Sequence, residues 1–347
     1  MGIKGLNQLL NKISPGIFNE IHISKYAFKK VAVDTSIFVY KFKSSYGDRW
    51  LTYFVKFISS LRENQLHPLF IFDTGAAPPE KEQERVKRRE KREYIKRKLW
   101  NLKDGLSHYE TTGEILAEIE KYKEYRILNK EYVLNIDDVK NEIEKIEKQL
   151  VFVRENDFDT LKSILDILKI NYYDAPMEAE TMCSNLCKKG VVSAVLSEDT
   201  DCLTYGCTKL LTKYNYHSGL CTELSINNIL DKADLNIDQF IDLCIMCGTD
   251  YNENIPKIGP YKSYRLLKKY ISLDSIAEFT ILDTKILNYN RVRDIFKNYI
   301  ESSIENVEYC GIPTIYDLQN IVDKYEIDID ISILEKSYLP NQLVFEE

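Results

Sequence analysis

The chain has 347 residues, of which 44% are hydrophobic and 29% are charged, and its formal net charge is −7. Such a composition suits a globular protein with a large core, and the absence of any apolar run near the roughly 20 residues of a membrane span argues against a membrane protein. Eight cysteines lie scattered in apolar contexts, which argues against a disulfide framework and leads us to expect an intracellular, reducing location.

The first half of the chain alternates apolar strands with helical patterns. Strands are predicted at 30–34 (KVAVD), 68–73 (PLFIFD), 170–174 (INYYD) and 191–197 (VVSAVLS). Helices are predicted between them at 49–64, 80–104 and 176–190. This alternation predicts the α/β class, with a mostly parallel central sheet flanked by helices. After about residue 225 we expect only short helices.

Two segments between the second and third strands stand out. Residues 81–98 hold ten Lys or Arg against four Glu, and on composition alone a solvated helix face with i,i+4 ion pairs explains this run. Within 99–157, apolar residues from Ile136 to Leu150 recur at spacings of three and four, which predicts an amphipathic helix that packs on one other helix. We therefore divide the chain into four predicted regions: 1–98, 99–157, 158–225 and 226–347.

Carboxylates occupy the carboxyl ends of the predicted strands. Asp34 and Asp73 end two strands, and Asp199 and Asp201 follow a third in the stretch SEDTDCLTYG. In an open parallel sheet the active site lies outside these strand ends, so the four side chains should meet in one crevice. If the loop that carries Asp199 and Asp201 is extended, the two side chains point the same way.

Four further carboxylates are ambiguous on sequence alone. Glu178 and Glu180 fall in the first turns of the helix predicted at 176–190, where positions i and i+2 diverge, and interaction with the helix dipole explains both. Asp174 is the predicted N-cap of that helix. Asp250 follows the apolar helix FIDLCIMCG, and alone it is more often a turn residue than a ligand.

Carboxylates grouped at one sheet edge repel each other and cannot be desolvated unpaired. Divalent cations resolve this conflict, and oxygen ligands without His or Cys favour Mg²⁺ or Mn²⁺. Two such ions serve in-line phosphoryl chemistry. The residues therefore predict metal-dependent phosphoryl chemistry, with a phosphatase acting on small molecules as one open alternative.

Six blocks of the first 270 residues point to a known family. They are MGIKGLNQLL, VAVDTSIFVYKF, LFIFDTGAAPPEKEQERVKRREKR, DAPMEAETMC, SEDTDCLTYG and DLCIMCGTDYNENIPKIGPYKSYRLLKKY. In these blocks the chain resembles the flap endonucleases, structure-specific 5′ nucleases related to excision-repair and exonuclease proteins of one superfamily. The resemblance implies a 5′-nuclease (PIN-like) fold, a helical arch at 99–157, and a helix–two-turn–helix element in the C-terminal helical region.

The resemblance also implies roles for individual residues. Two Mg²⁺ ions, for which Mn²⁺ can substitute, would be held by seven carboxylates: Asp34, Asp73, Glu178, Glu180, Asp199, Asp201 and Asp250. Lys81 and Arg88, seven apart and so expected on one helix face, would be the catalytic cations that hold the scissile phosphate and neutralise charge in the transition state. The DNA-binding residues would be Gly2 at the N-terminus, Tyr40 beneath a base near the cut, Arg89, Gly259 and Lys262, with a K⁺ ion at the helix–two-turn–helix.

The implied activity is Mg²⁺-dependent 5′ flap endonuclease and 5′–3′ exonuclease cleavage of DNA near single-/double-strand junctions, in replication, repair or recombination, leaving 5′-phosphate and 3′-hydroxyl ends. Two alternatives stay open: a member with the same chemistry specialised for bubbles or four-way junctions, and a catalytically silent junction-binding protein.

The chain departs from the family at Lys257, where the hairpin usually has Gly, and in a long arch. No convincing sliding-clamp motif is present. We expect a monomer that binds DNA with 5′ flaps or junctions, in the nucleus, or at a viral replication site if the chain is viral.

Overall fold

The computed structural model describes residues 2–73, 78–126, 131–299 and 301–338. Over these residues the chain forms nine strands and fifteen α-helices. The strands are β1 (Asn19–His22), β2 (Lys30–Asp34), β3 (His67–Asp73), β4 (Lys123–Arg126), β5 (Glu131–Leu134), β6 (Tyr172–Ala175), β7 (Ala194–Leu196), β8 (Lys209–Thr212) and β9 (Leu220–Ser225). The helices are α1 (Leu6–Ile13), α2 (Thr35–Tyr46), α3 (Trp50–Glu63), α4 (Glu82–Thr112), α5 (Ile136–Glu147), α6 (Glu155–Ile167), α7 (Ala179–Lys188), α8 (Asp201–Thr204), α9 (Ile226–Ala233), α10 (Ile237–Cys247), α11 (Pro260–Tyr270), α12 (Leu273–Phe279), α13 (Tyr289–Lys297), α14 (Ile315–Lys324) and α15 (Ile331–Tyr338).

Seven strands form one mixed sheet in the order β1–β9–β8–β7–β2–β3–β6. The five strands from β8 to β6 are parallel, which confirms the predicted α/β class. The apolar side chains of Val31, Ala32 and Val33 in the central strand β2 are fully buried, because helices cover both faces of a parallel sheet. The antiparallel edge formed by β9 and β1 is not among the strands predicted from the sequence.

Helix α7 begins later than the sequence predicts. It starts at Ala179, and Glu178 occupies the N-cap position in an extended conformation. Asp174 lies in β6 and pairs with Lys162 at 2.6 Å, so the prediction that it caps this helix is wrong. The first N–H groups of a helix have no partner within the helix, and Asp73 Oδ1 accepts the N–H of Ala179 at 2.6 Å. The cap therefore comes from a strand distant in sequence.

The chain divides into two compact units. The first unit comprises Met1–Val39, Leu51–Lys81 and Arg154–Glu347 and contains the seven-stranded sheet and the helices from α6 onward. The second unit comprises Tyr40–Trp50 and Glu82–Val153 and contains α4, α5 and the antiparallel pair β4–β5.

The second unit has its own apolar core. Val139, Ile143 and Ile146 of α5 pack against Leu102 and Leu106 of α4, which confirms that the sequence pattern marks an amphipathic helix paired with one other helix.

The C-terminal part of the first unit is helical, as the sequence predicts. Helix α10 is buried from Phe240 to Cys247, and its cysteines fill the core as small apolar side chains. A loop then leads to α11, which begins at Pro260 after Gly259. Among the described residues, no helix combines the length and apolar composition that crossing a membrane requires.

Candidate active site

Seven carboxylates and one lysine come together at the carboxyl end of the parallel strands of the first unit. Asp34 ends β2, Asp73 ends β3, and Asp199 follows β7. The other members are Glu178, Glu180, Asp201, Asp250 and Lys81. Parallel β–α units bring their strand ends to one sheet edge, which is where sites form in this class of fold.

The ammonium group of Lys81 lies among three of these carboxylates. It contacts Glu178 Oε1 directly, lies 3.4 Å from Glu180 Oε1 and 3.5 Å from Asp250 Oδ2. Burial opposes a charge on Lys81, but the carboxylates of Glu180 and Glu178 outweigh burial and raise the pKa of the ammonium group. Lys81 is therefore a permanent cation inside the cluster.

Lys81 belongs to the 3-10 turn Pro79–Lys81 that precedes α4. Lys81 therefore lies outside the regular helix on which the seven-residue spacing would place it on one face with Arg88. Arg88 lies in α4 of the second unit, where its Nε donates to Glu84 Oε1 at 3.1 Å.

Serine 197 connects two carboxylates at the end of β7. The Ser197 hydroxyl donates to Asp34 Oδ2 at 2.9 Å and accepts the N–H of Asp199 at 3.0 Å. Asp199 Oδ1 in turn accepts the N–H of Asp201 at 2.8 Å. These bonds fix the loop after β7 as a tight turn into α8. The condition under which Asp199 and Asp201 would point the same way, an extended loop, is therefore not met. Glu198 turns away and accepts from the Thr212 hydroxyl and from the backbone N–H of Lys213, just after β8.

Glu178 and Glu180 reach the same cation although they are two residues apart. A regular helix would separate positions i and i+2, but Glu178 is the N-cap of α7 and has extended backbone angles, φ −92° and ψ 144°. Only Glu180 lies within the helix, so the divergence of positions i and i+2 on a helix does not separate the two side chains.

Burial and mutual repulsion raise the pKa of several of these carboxyl groups. Burial, followed by the charge of Asp73, raises the pKa of Asp34 to about 8. Burial, followed by the charges of Asp199 and Asp250, raises the pKa of Asp201 well above its usual value. Burial also raises the pKa of Glu180, and the charge of Lys81 opposes that shift. The charge of Lys81 therefore does not offset the burial and mutual repulsion of these carboxyl groups.

The donor set fits hard divalent cations. All seven side chains offer carboxylate oxygens, the ligand type that Mg²⁺ and Mn²⁺ prefer. Asp201 Oδ1 is buried and has no hydrogen-bond partner among the described residues, which is costly unless a cation satisfies it. Within those residues no three acidic side chains lie close enough together to hold a metal ion. The Lys81 ammonium group contacts Glu178, Glu180 and Asp250 instead.

The N-terminal segment lies against the same loops. The N–H of Ile3 donates to Thr200 Oγ1 at 3.0 Å, and the N–H of Lys4 donates to the Gly248 carbonyl at 3.1 Å. Gly2 has φ 87°, and a Cβ at this position would clash with the Asp199 carboxylate and the Thr200 hydroxyl. Only glycine satisfies both the positive φ and the close approach.

The remaining predicted DNA-binding residues lie on surfaces. Tyr40 and Arg89 are exposed in the second unit. In the hairpin before α11, Lys257 has φ 66°, the left-handed region that glycine adopts without strain. The ammonium group of Lys262 donates to the Lys257 carbonyl at 3.1 Å, and Gly259 is the N-cap of α11.

Sequence reasoning missed Tyr251. Its hydroxyl donates to Glu178 Oε2 at 2.7 Å and lies 2.5 Å from the Tyr205 hydroxyl. The backbone carbonyl of Tyr205 accepts from Tyr299. The one sequence signal is the position of Tyr251 directly after Asp250, which says nothing about its partner 73 residues away.

Comparison with known proteins identifies relatives over most of the chain. Residues 1–95 match the family model described as the XPG N-terminal domain, and residues 169–250 match the XPG I-region. A probable RAD2-like endonuclease of Invertebrate iridescent virus 6 is 31% identical, and the alignment covers 97% of this chain and 92% of that protein. Flap endonuclease 1 of Homo sapiens is 32% identical over 80% of this chain and 68% of its own length.

Solved structures show the same fold. The catalytic core of Rad2 in complex with DNA substrate aligns with a TM-score of 0.68 at 17% identity, over 97% of this chain and 98% of that one. Flap endonuclease-1 from Methanococcus jannaschii aligns with a TM-score of 0.59 at 23% identity, over 92% and 95% of the two chains. These similarities agree with the mixed, mostly parallel sheet flanked by helices.

Proposed function

Because the chain belongs to the XPG family of 5′ nucleases, we propose that it is a divalent-metal-dependent, structure-specific 5′ flap endonuclease with 5′–3′ exonuclease activity on DNA. The single observation that carries the proposal is the cluster of seven carboxylates, five of them buried, at the carboxyl end of the sheet. A protein that only bound DNA would gain nothing from a group of like charges that destabilises its own fold.

The seven carboxylates would hold two Mg²⁺ ions, for which Mn²⁺ can substitute. Bound there, the ions would activate water and stabilise the leaving oxygen in an in-line displacement at the phosphodiester. The chain's own residues supply the frame for this chemistry. Ser197 orients Asp34, Tyr251 orients Glu178, and the backbone of Asp201 orients Asp199.

Lys81 would exchange partners when substrate and metal bind. Its ammonium group contacts Glu178 and Glu180, and divalent cations would take those carboxylates over. The released ammonium group could then contact the scissile phosphate, with Arg88 as the second cation. Both would stabilise the charge that develops in the transition state.

Other elements would hold the DNA. Gly2 lies beside Asp199, Tyr40 is an exposed ring suited to stacking on a base, and Arg89 adds positive charge. Gly259 and Lys262, at the start of α11, would contact duplex phosphates with a K⁺ ion nearby. Contacts of this kind read the shape of a junction and not its sequence. The long helix α4 with α5 would form the arch.

The test is cleavage of end-labelled double-flap, bubble and four-way-junction DNAs in Mg²⁺ or in EDTA. Wild type is compared with Asp199→Ala and with Asp231→Ala, which makes the same change at an exposed carboxylate of α9 that pairs with its neighbour Lys232. We expect Mg²⁺-dependent cutting near the base of the 5′ flap in wild type and Asp231→Ala. Asp199→Ala should not cut but should bind the flap DNA at least as tightly, since the substitution removes negative charge.

The ranking of the three substrates distinguishes a flap endonuclease from a junction specialist with the same chemistry. Tight binding by wild type without cutting in Mg²⁺ or Mn²⁺ would overturn the proposal in favour of a silent junction-binding protein. The similarity to a viral RAD2-like endonuclease supports action at a viral replication site, and we propose that the protein acts there as a monomer.

A further inference from the structure

An ion pair joins the turn that carries Lys81 to helix α13. The turn is the 3-10 segment Pro79–Lys81, and it belongs, like α13, to the first unit. Arg291 of α13 donates from Nε to Glu80 Oε1 at 2.7 Å and from Nη1 to Asp294 Oδ2 at 2.6 Å. The hydrogen bond from Arg291 is the main cause that lowers the pKa of the Glu80 carboxyl below its usual value. Glu80 is therefore ionised and paired at neutral pH.

The carboxylate of Glu80 depends on Arg291 for compensation of its charge. The side chain is only 20% exposed, and Oε2 is buried with no hydrogen-bond partner in the part of the chain that the structure describes. A buried carboxylate oxygen without a partner is costly, and removal of the cation from such a pair leaves the charge uncompensated. Without Arg291, we therefore expect the Glu80 side chain to turn towards water and the turn to shift with it.

A cavity beside the turn leaves room for such a shift. Its volume is about 170 Å³, and its lining includes Pro78 and Pro79 on one side and Arg291 and Ile295 of α13 on the other. Protein interiors are otherwise closely packed, so the turn gains less from packing on the helix here than a filled contact would give. The ion pair between Glu80 and Arg291 restricts the movement that this incomplete packing allows.

Helix α13 is a firm anchor for this ion pair, and it also contacts the partner of Lys81. The Phe296 ring is buried, and its centre lies 5.6 Å from that of the Tyr251 ring. The Tyr251 hydroxyl in turn donates to Glu178 Oε2 at 2.7 Å. One helix is thus connected both to the turn that carries Lys81 and to the carboxylate that Lys81 contacts.

We propose that Arg291 positions Lys81 for catalysis by holding Glu80, so that the Lys81 ammonium group stays at the carboxylate cluster. This inference rests on the proposed function and adds Arg291 and Glu80 to it as positioning residues. The ion pair matters most when metal ions bind, because Lys81 would then lose Glu178 and Glu180 as partners. The contact between Glu80 and Arg291 lies outside that exchange.

The first test measures single-turnover cleavage of a 5′ flap DNA in Mg²⁺ over a range of DNA concentrations, beside DNA binding in EDTA. Arg291→Ala should lower the rate at saturating DNA about 10- to 100-fold, the loss expected when a catalytic group is misplaced, with the half-saturating DNA concentration unchanged. Arg291→Lys keeps the charge and should restore most of the rate.

Lys297→Ala is the matched control for this substitution. It removes a cation of the same helix with similar exposure, 44% against 47%, whose partner is Asp238 and not Glu80. We expect wild-type kinetics for this variant. Both alanine variants should unfold in urea much like wild type, since exposed ion pairs contribute little to stability.

The Lys81→Ala background separates positioning from any other role of Arg291. If Arg291 acts through Lys81, Arg291→Ala should cause no further loss of rate in that background, because the two changes remove the same contribution. An equal loss in both backgrounds would overturn the inference. A loss of DNA affinity in EDTA would also overturn it, since Arg291 would then be a DNA contact.

Amide hydrogen exchange follows the turn without catalysis. The Lys81 N–H donates to the Pro78 carbonyl at 3.0 Å, and exchange of this N–H reports local opening of the turn. In Mg²⁺ without DNA, exchange at Lys81 should be severalfold faster in Arg291→Ala than in wild type or Lys297→Ala. Unchanged exchange in Arg291→Ala would overturn the inference.

The two proposals fail in different ways. If wild type cuts the flap while Arg291→Ala cuts at the same rate and exchanges like wild type, the inference is wrong and the proposed function stands. If wild type cuts nothing in Mg²⁺ or Mn²⁺, the nuclease assignment is wrong and Arg291 positions nothing for catalysis, whereas the exchange rates still show whether Arg291 holds the turn.

Discussion

Replacing Asp34 by Asn should stabilise the metal-free protein and reduce the dependence of its stability on pH. Asp34 is buried at the end of β2, where burial and then the charge of Asp73 raise the pKa of its carboxyl to about 8. Asparagine has nearly the same shape and can still accept the Ser197 hydroxyl, which lies 2.9 Å from Asp34 Oδ2. The substitution therefore removes the charge and keeps the hydrogen bond.

The direction of the effect follows from proton linkage. A carboxyl whose pKa is raised by folding binds its proton more tightly in the folded protein, so the associated stability is fully present below the unfolded value of 3.8 and is lost as the pH rises through about 8. Each pH unit in this window changes the free energy of unfolding by at most about 1.4 kcal/mol. The whole window therefore corresponds to roughly 6 kcal/mol at most, and we expect about 2 kcal/mol of it to be measurable between about pH 5.5 and pH 8.

The measurement is urea unfolding in EDTA across this pH range, for wild type, Asp34→Asn and the exposed control Asp231→Asn. The free energy of unfolding of wild type and the control should fall relative to that of Asp34→Asn as the pH rises. Mg²⁺ should reverse the order near pH 8, because a ligand that binds only the folded protein stabilises it and the ionised Asp34 is part of the site. Parallel pH profiles of wild type and Asp34→Asn in EDTA would refute the reasoning.

Three other substitutions test single contacts of the site and the hairpin. Tyr251→Phe removes the hydroxyl bonded to Glu178, so the Mg²⁺ concentration for half-maximal cleavage should rise about tenfold. DNA binding in EDTA should be unchanged. An unaltered Mg²⁺ titration would mean that Tyr251 does not position Glu178 for metal binding. Lys81→Ala leaves three carboxylates without their shared cation and should lower the free energy of unfolding in EDTA by about 3 kcal/mol. Mg²⁺ should largely restore this stability in urea unfolding, because the metal ions would neutralise the same carboxylates. An equal loss with and without Mg²⁺ would argue against the replacement of Lys81 by metal ions at these carboxylates. Lys257→Gly relieves a left-handed backbone angle and should raise the free energy of unfolding by up to about 1 kcal/mol; a decrease would mean that Lys257 contributes contacts that outweigh its strain.

Much of the fold follows from local patterns in the sequence. The central strand β2 coincides with the predicted KVAVD, and α3 and α5 lie where apolar periodicity predicts helices. These signals are readable because burial of one helix face or of a whole strand constrains neighbouring residues in the chain. Carboxylates at the ends of β2 and β3 could be assigned to one sheet edge, since parallel strands end on the same side.

Three short strands on the β1 side of the sheet could not be predicted from local patterns. β1, β8 and β9 have four to six residues each, and the pairing of β1 with β9 joins segments some 200 residues apart, as in the register between Asn19 and Glu223. Short strands carry little periodicity of their own, so their pairing depends on the rest of the sheet.

What the sequence determined by itself is the set of acids, their order and the sheet that collects them. Only the tertiary structure decided how they are used: Glu178 as an N-cap beside Glu180, Lys81 among the carboxylates, and Tyr251 bonded to Glu178. The physical reason is distance along the chain. Lys81 and Glu178 are 97 residues apart, and a hydrogen bond or ion pair over such a separation depends on where packing places each backbone, which no local pattern records.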